Sequence, residues 1–154
     1  MDGQVKIRHR SNAERGAELV EFALVLPVLL LVFAGIVDFG FLFQRLEVVT
    51  NASREGARLA SLPAYTLPDV QARVNSYVNE GIGTGASATT VTTMTPVTIP
   101  GGTGPAVPAR QVVVSYTSTY VILGPIASLL GGGASFTTIT LTGRSTMRLE
   151  VPGP

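Results

Sequence analysis

The acids Glu21 and Asp38 stand at the start and in the interior of one long apolar stretch, and the peptide Gly16-Ala17 lies five residues ahead of the first. A carboxylate in hydrocarbon is costly unless it sits at the interface or meets a positive partner. Glu21 therefore reads either as an interfacial acid near a helix amino end, where the helix dipole favours it, or as one half of an ion pair. Cleavage after Gly16 would leave a charged amine on Ala17, which could pair with Glu21 of a neighbouring copy and set the axial register between helices. Asp38 follows 17 residues later. That is about 25 Å along a helix, close to the far side of a ~30 Å hydrocarbon core. For it an interfacial position is favoured over an ion pair buried between subunits.

Other chemistry finds little material. Beyond residue 16 there is no histidine, cysteine or lysine, so imidazole bases, thiolate nucleophiles and Schiff bases are not available there. The acids that follow the apolar stretch, Glu47, Glu55, Asp69, Glu80 and Glu150, are scattered with no metal-ligand spacing. Gly131-Gly132-Gly133 is followed by no lysine, so it is not a phosphate loop. We expect no enzyme, no cofactor, no metal and no small-molecule substrate.

The element that must position Glu21 and Asp38 is a helix. Phe22 to Val37 carries no charge and the apolar character resumes after Asp38 through Phe43, 22 residues in all, enough for one crossing at ~20 residues. Pro27, Gly35 and Gly40 would weaken a helix in water but are tolerated in a membrane, where Pro27 reads as a kink near the helix start and small residues admit a second helix. Ahead of the stretch, Lys6, Arg8, Arg10 and Arg15 outnumber Asp2 and Glu14, which argues for a cytoplasmic amino terminus. Without residues 1–16 the net charge of +1 becomes seven bases against eight acids. That balance offers no basic surface for nucleic acid.

At 154 residues the chain has room for a short leader, one membrane helix and one modest core. The helix is expected to run on from Arg45 to Leu62, with Val49, Ala52, Gly56 and Ala60 on one face covering the domain's own core. Glu55 and Arg58 read as a solvated pair, and Pro63 as the stop. Asp69 is placed as the amino cap of a second helix through about Asn79, with Val70, Val74, Tyr77 and Val78 on one side and Gly81, Gly83 and Gly85 ending it. From Ala86 onward threonine, serine and valine dominate, which predicts strands near 88–99, 111–122 and 136–151. Alternation shows in Val112, Val114 and Tyr116 and in Phe136, Ile139 and Leu141. Between the last two strands, Ile126, Leu129 and Leu130 predict a short apolar helical turn, for which covering the core is favoured over an exposed patch that binds a partner. The fold class is α+β: a long amino-terminal helix followed by a small antiparallel sheet domain.

Gly16-Ala17-Glu18-Leu19-Val20-Glu21-Phe22, a glycine, four residues, then glutamate and an aromatic, resembles the signature of Flp-type pilins and of TadE-like pseudopilins of the tight-adherence system. The resemblance continues through Leu26-Pro27, Gly35-Ile36-Val37-Asp38-Phe39-Gly40 and Asn51-Ala52-Ser53-Arg54-Glu55-Gly56-Ala57-Arg58, with Phe22 where tyrosine is common. It implies cleavage after Gly16 by a prepilin peptidase, insertion in the inner membrane, and assembly with other pilin and pseudopilin subunits and their platform. In those terms residues 1–16 are a leader, 17–62 the transmembrane and continuing helix, and 63–154 an extracytoplasmic domain. Gly16 and Ala17 would form the processing site, Glu21 and Phe22 the recognition segment, and Pro27, Asp38 and Gly56 would serve helix packing or pairing. The alternative is an anchored or secreted binding domain that joins no pilus. In its secreted form Leu24 to Phe33 is the apolar region of a signal peptide cut after Ala34.

Overall fold

The computed structural model describes residues 12–101, 104–129, 131 and 137–150, with only the backbone described for 12–15. The early charges Asp2, Lys6, Arg8 and Arg10, together with His9, Leu130, Gly132, Gly133 and Phe136, lie outside the described residues.

Helix α1, Asn12–Ala60, is a single rod of 49 residues. Pro27 lies within it without ending it. The ring removes only one N–H, and the leucines on either side, Leu24, Leu26 and Leu29 to Leu31, are strong helix formers. Helix α2, Leu67–Ile82, packs on the distal part of α1, followed by a turn of 3-10 helix and strand β1, Thr90–Ile99. Strand β2 is Val107–Thr119, α3 is Leu123–Leu129 and β3 is Thr138–Arg148. The sheet has the order β1-β2-β3 with both pairs antiparallel. The class is α+β, as the composition order indicates.

The start of α2 differs from expectation. Thr66, not Asp69, is the cap residue, and Asp69 stands at the third helical position. From there its carboxylate accepts the Thr66 backbone N–H at 2.8 Å and the Thr66 hydroxyl at 2.6 Å. Both bonds hold the Asp69 carboxyl below its ordinary range. Pro68 sits in the first turn, where its fixed φ suits a helix start and its missing N–H costs nothing. The helix ends at Gly83, whose φ of +136° disfavours a side chain. Gly81 lies inside α2 and has a packing role: a Cβ there would come within 2.7 Å of Val48 Cγ1.

The core lies between the distal half of α1, α2 and one face of the sheet. Val49, Ala52, Gly56 and Ala60 are all buried, the face that the spacing assigned to the domain's own core. Val70, Val74 and Val78 of α2 and Val112, Val114, Tyr116 and Leu141 of the sheet close it. Small residues on α1 bring the layers close. A Cβ on Gly56 would lie 2.9 Å from Val74 Cγ2 and 3.2 Å from Val112 Cγ1, and one on Gly143 would lie 2.5 Å from the Val49 carbonyl oxygen. Strand β3 thus runs alongside α1, and the tail after β3 returns to the helix end, where the Glu150 N–H donates to the Ser61 carbonyl at 2.9 Å.

Glu55 ties the two helices together. Arg58 donates to its carboxylate at 3.0 and 3.1 Å, and Arg73 Nε of α2 donates at 3.1 Å. The expected solvated pair is therefore a bridge between helices. The Arg58 hydrogen bond foremost, helped by Arg73 and opposed by partial burial, holds the Glu55 carboxyl below its ordinary value of 4.5. A depressed carboxyl adds stability that is complete above its unfolded pKa and lost as pH falls through the folded one. The unfolding temperature should accordingly be flat above pH 4.5 with respect to this group and decline below it. In the Glu55→Gln variant, scanning calorimetry across pH should show a smaller acid-side decline. An equal decline in both proteins would remove Glu55 as its source.

Candidate functional site

Two regions of α1 hold the residues singled out above. Along residues 16–33 every side chain is exposed, since none of the described elements packs over them. Gly16, Ala17, Glu21 and Phe22 all lie there on continuous helix, as does Pro27. The segment from Gly16 to Ala60 is long and apolar enough to cross a membrane, with mean hydropathy 2.7 over its most apolar window, of which 6% is buried. A soluble core helix of that hydropathy would be covered by its own chain. This one is bare over its first half, so the surface invites lipid or other helices.

The second region begins at Ala34, which is 4% exposed. From there the α1 face at Ala34, Asp38 and Leu42, at spacings of four, meets the sheet domain. Asp38 is 1% exposed. Its Oδ1 accepts the backbone N–H of Val121 at 2.7 Å and of Ile122 at 3.1 Å, and its Oδ2 accepts Ile122 at 3.2 Å and Leu123 at 2.7 Å. Three successive amides leading into α3 thus converge on one carboxylate. Such amides are the unpaired donors of a helix start, and an anion there answers both the donors and the local dipole. The carboxylate expected at the interface or in an ion pair between subunits is thus met by its own chain's backbone amides.

Arg45, two turns further on the same face, completes the grip. Its Nη1 donates to Ser118 Oγ at 2.6 Å and to the Thr119 carbonyl at 2.9 Å, while its guanidinium lies 6.0 Å from the Phe41 ring. Asp38 and Arg45 together hold the end of β2 and the start of α3 against the helix, so the domain's rise and rotation along the rod are set by two polar clamps beside an apolar contact. Sequence reasoning missed this partnership. The donors are backbone groups some 83 residues away in the chain, and the only local signal was an acid that its surroundings could not otherwise accommodate.

Gly56, by contrast, lies in the domain core where α1 crosses α2 and the sheet. The structure therefore does not gather the singled-out residues into one site. It distributes them along the rod: Gly16, Ala17, Glu21, Phe22 and Pro27 on the bare half, Asp38 at the junction, and Gly56 in the core. Among the described residues, no group of three or more histidines, cysteines or acids is arranged to hold a metal. The arrangement presents a bare apolar helix joined to a small domain by hydrogen bonds and apolar packing.

No curated protein and no solved structure matches the chain. The family model described as TadE-like protein matches residues 16–58, which is α1 from the start of its bare half through the Glu55–Arg58 turn. Over that segment, less than half of its length, the chain is similar to TadE-like proteins, which supports an association with the Tad/Flp pilus system.

Proposed function

We propose that the protein is a TadE-like minor pilin or pseudopilin that takes part in assembling a Flp-type pilus or a related secretion apparatus. One observation carries the reading: the TadE-like match coincides with a helix that is bare from Gly16 to Phe33 and clamped to its own domain beyond Ala34. In this reading the precursor sits in the inner membrane with its amino terminus in the cytoplasm and its sheet domain outside. Prepilin peptidase cuts after Gly16. The new Ala17 amine meets Glu21 of a neighbouring subunit, which neutralises an acid that lipid would penalise and aligns adjacent rods. Phe22 and Pro27 belong to the recognised and packed segment. The partners are other pilin and pseudopilin subunits and the assembly platform.

The competing release by a signal peptidase after Ala34 fits less well. Ala34 is buried where the helix enters its contact with the domain, and α1 is continuous through it.

Intact mass of the native protein tests the reading. A chain beginning at Ala17 is expected, and Glu21→Ala should still be processed yet lose most surface pili. Retention of Met1, release of a chain beginning at Gly35, or full piliation in the Glu21→Ala strain would each overturn it.

A further inference from the structure

The connection between β2 and β3 was expected to cover the core, but its described large apolar side chains Val121, Ile126 and Leu129 are turned outward. Leu129 of α3 is 87% exposed, and Val121, Ile126 and Ile139 are also exposed. Among the described residues beyond α1, only Tyr65 and Val91 join them as exposed large hydrophobics. The sequence around this end is unusual in another way: from Gln111 to Gly143 there is no charged residue at all. A solvated loop cluster normally carries charge, and an apolar group without it marks a surface that meets something other than water.

Its position on the rod identifies that surroundings. Asp38 binds the amides of Val121, Ile122 and Leu123, so this end of the domain lies at the level of residues 34–42 of α1. The bare rod below it, from Ala17 to Phe33, is 17 residues long, about 25 Å at the helical rise and shorter than a ~30 Å hydrocarbon core. If the core begins after Glu21, only about 18 Å of bare helix remains. At the level of the clamp, the face of α1 turned away from the domain is still apolar and exposed at Ile36, Phe39 and Phe43. Polar residues resume only at Gln44, Arg45 and Glu47.

We propose that the near end of the sheet domain is seated in the membrane, with Val121, Ile126, Leu129 and Ile139 inserted at the boundary between headgroups and acyl chains beside α1. The occupant of this apolar face is lipid. The inference rests on the reading of α1 as a membrane helix, and it adds that the hydrocarbon reaches the domain itself. The arrangement resolves the length deficit of the rod, because the domain's own apolar end completes the crossing. It also accounts for the uncharged run, since an apolar surface at this depth binds in proportion to the area it buries. The Asp38 clamp acquires a second role here: it withdraws from lipid the three amides and the carboxylate that would otherwise face it.

The chain contains no cysteine, so single thiols can carry a nitroxide label at chosen sites in the full-length protein reconstituted in phosphatidylcholine–phosphatidylglycerol vesicles. Three variants suffice: Leu129→Cys on the proposed surface, Phe33→Cys on the bare rod and Tyr65→Cys beyond the distal end of α1. Collision with oxygen, which concentrates in lipid, is compared with collision with a water-soluble nickel chelate. The Leu129 label should favour oxygen severalfold, as the Phe33 label does, while the Tyr65 label favours the chelate. A Leu129 label open to the chelate beside a lipid-exposed Phe33 label would overturn the inference and leave the membrane helix standing. A Phe33 label open to the chelate would overturn both. A Leu129 label shielded from both reagents, with dipolar broadening between labels, would assign the face to a second copy of the chain and also overturn the inference.

Discussion

Replacing Asp38 with alanine should detach α3 and the end of β2 from the rod and lower the stability of the folded domain by about 2–3 kcal/mol, since a fully buried donor left without an acceptor costs about 1–3 kcal/mol and these three are only partly buried, where water can answer some of them. Three amides, those of Val121, Ile122 and Leu123, lose their acceptor at once, and a methyl group offers nothing in its place. Asp38→Asn separates shape from charge. The amide keeps one acceptor oxygen but turns an NH2 group toward donors, so an intermediate loss is expected. Hydrogen exchange supplies the local readout: the amides of residues 121–123 should lose protection in the alanine variant while those of β1 keep theirs. Unchanged protection there would mean that the carboxylate does not hold this end of the domain.

Gly143→Ala should be the most damaging small change in the sheet, at about 2–3 kcal/mol, toward the upper end of overpacking costs. The added Cβ would lie 2.5 Å from the Val49 carbonyl oxygen and 2.9 Å from Thr50 Cα. Both are helix backbone atoms, which yield only if α1 and β3 move apart and the layer between them loses its contacts. Gly56→Ala is the informative comparison. Its nearest obstacles are methyl groups of Val74, Val112 and Val70, which can turn, so a smaller loss of about 1 kcal/mol is expected. Denaturant unfolding in detergent checks both. If Gly56→Ala proved worse than Gly143→Ala, side-chain packing rather than backbone approach would limit how near the rod comes to the sheet.

The two variants act at different points on the same joint. Asp38 holds the end nearest the bare half of α1 by hydrogen bonds, and Gly143 permits close approach midway along the strand. A subunit whose domain swung on its helix could not present one surface to its neighbours, so in the proposed assembly role both changes should also reduce incorporation into pili.

Much of this was legible in the residues alone. The apolar stretch required a helix whatever lay beyond it, because twenty-odd residues without balanced charge leave backbone groups no other partner in lipid. The stripe of Val49, Ala52, Gly56 and Ala60 predicted which face of the distal helix is buried, and the alternation of Val112, Val114 and Tyr116 predicted the inner face of β2; all are buried. These are local periodicities, set by 3.6 and 2 residues per repeat. The motif from Gly16 to Phe22 carried the resemblance, and the family match begins at the same glycine.

Tertiary structure alone decided where the rod stops being bare. Hydropathy extends the apolar tract to Phe43, yet the domain takes hold at Ala34. Hydropathy sums side chains and is blind to which face a distant segment will cover. Asp38 shows the same limit from the other side: its charge announced that a partner was needed, but the partners are amides brought to it by the sheet from the far half of the chain. Likewise Ile126 and Leu129 have the composition of a core-covering turn, and only the attachment of α3 beside the helix turns them outward among the described residues. Local patterns specify elements because neighbouring residues share a backbone geometry; the pairing of distant surfaces depends on loop lengths and packing that no window of sequence contains.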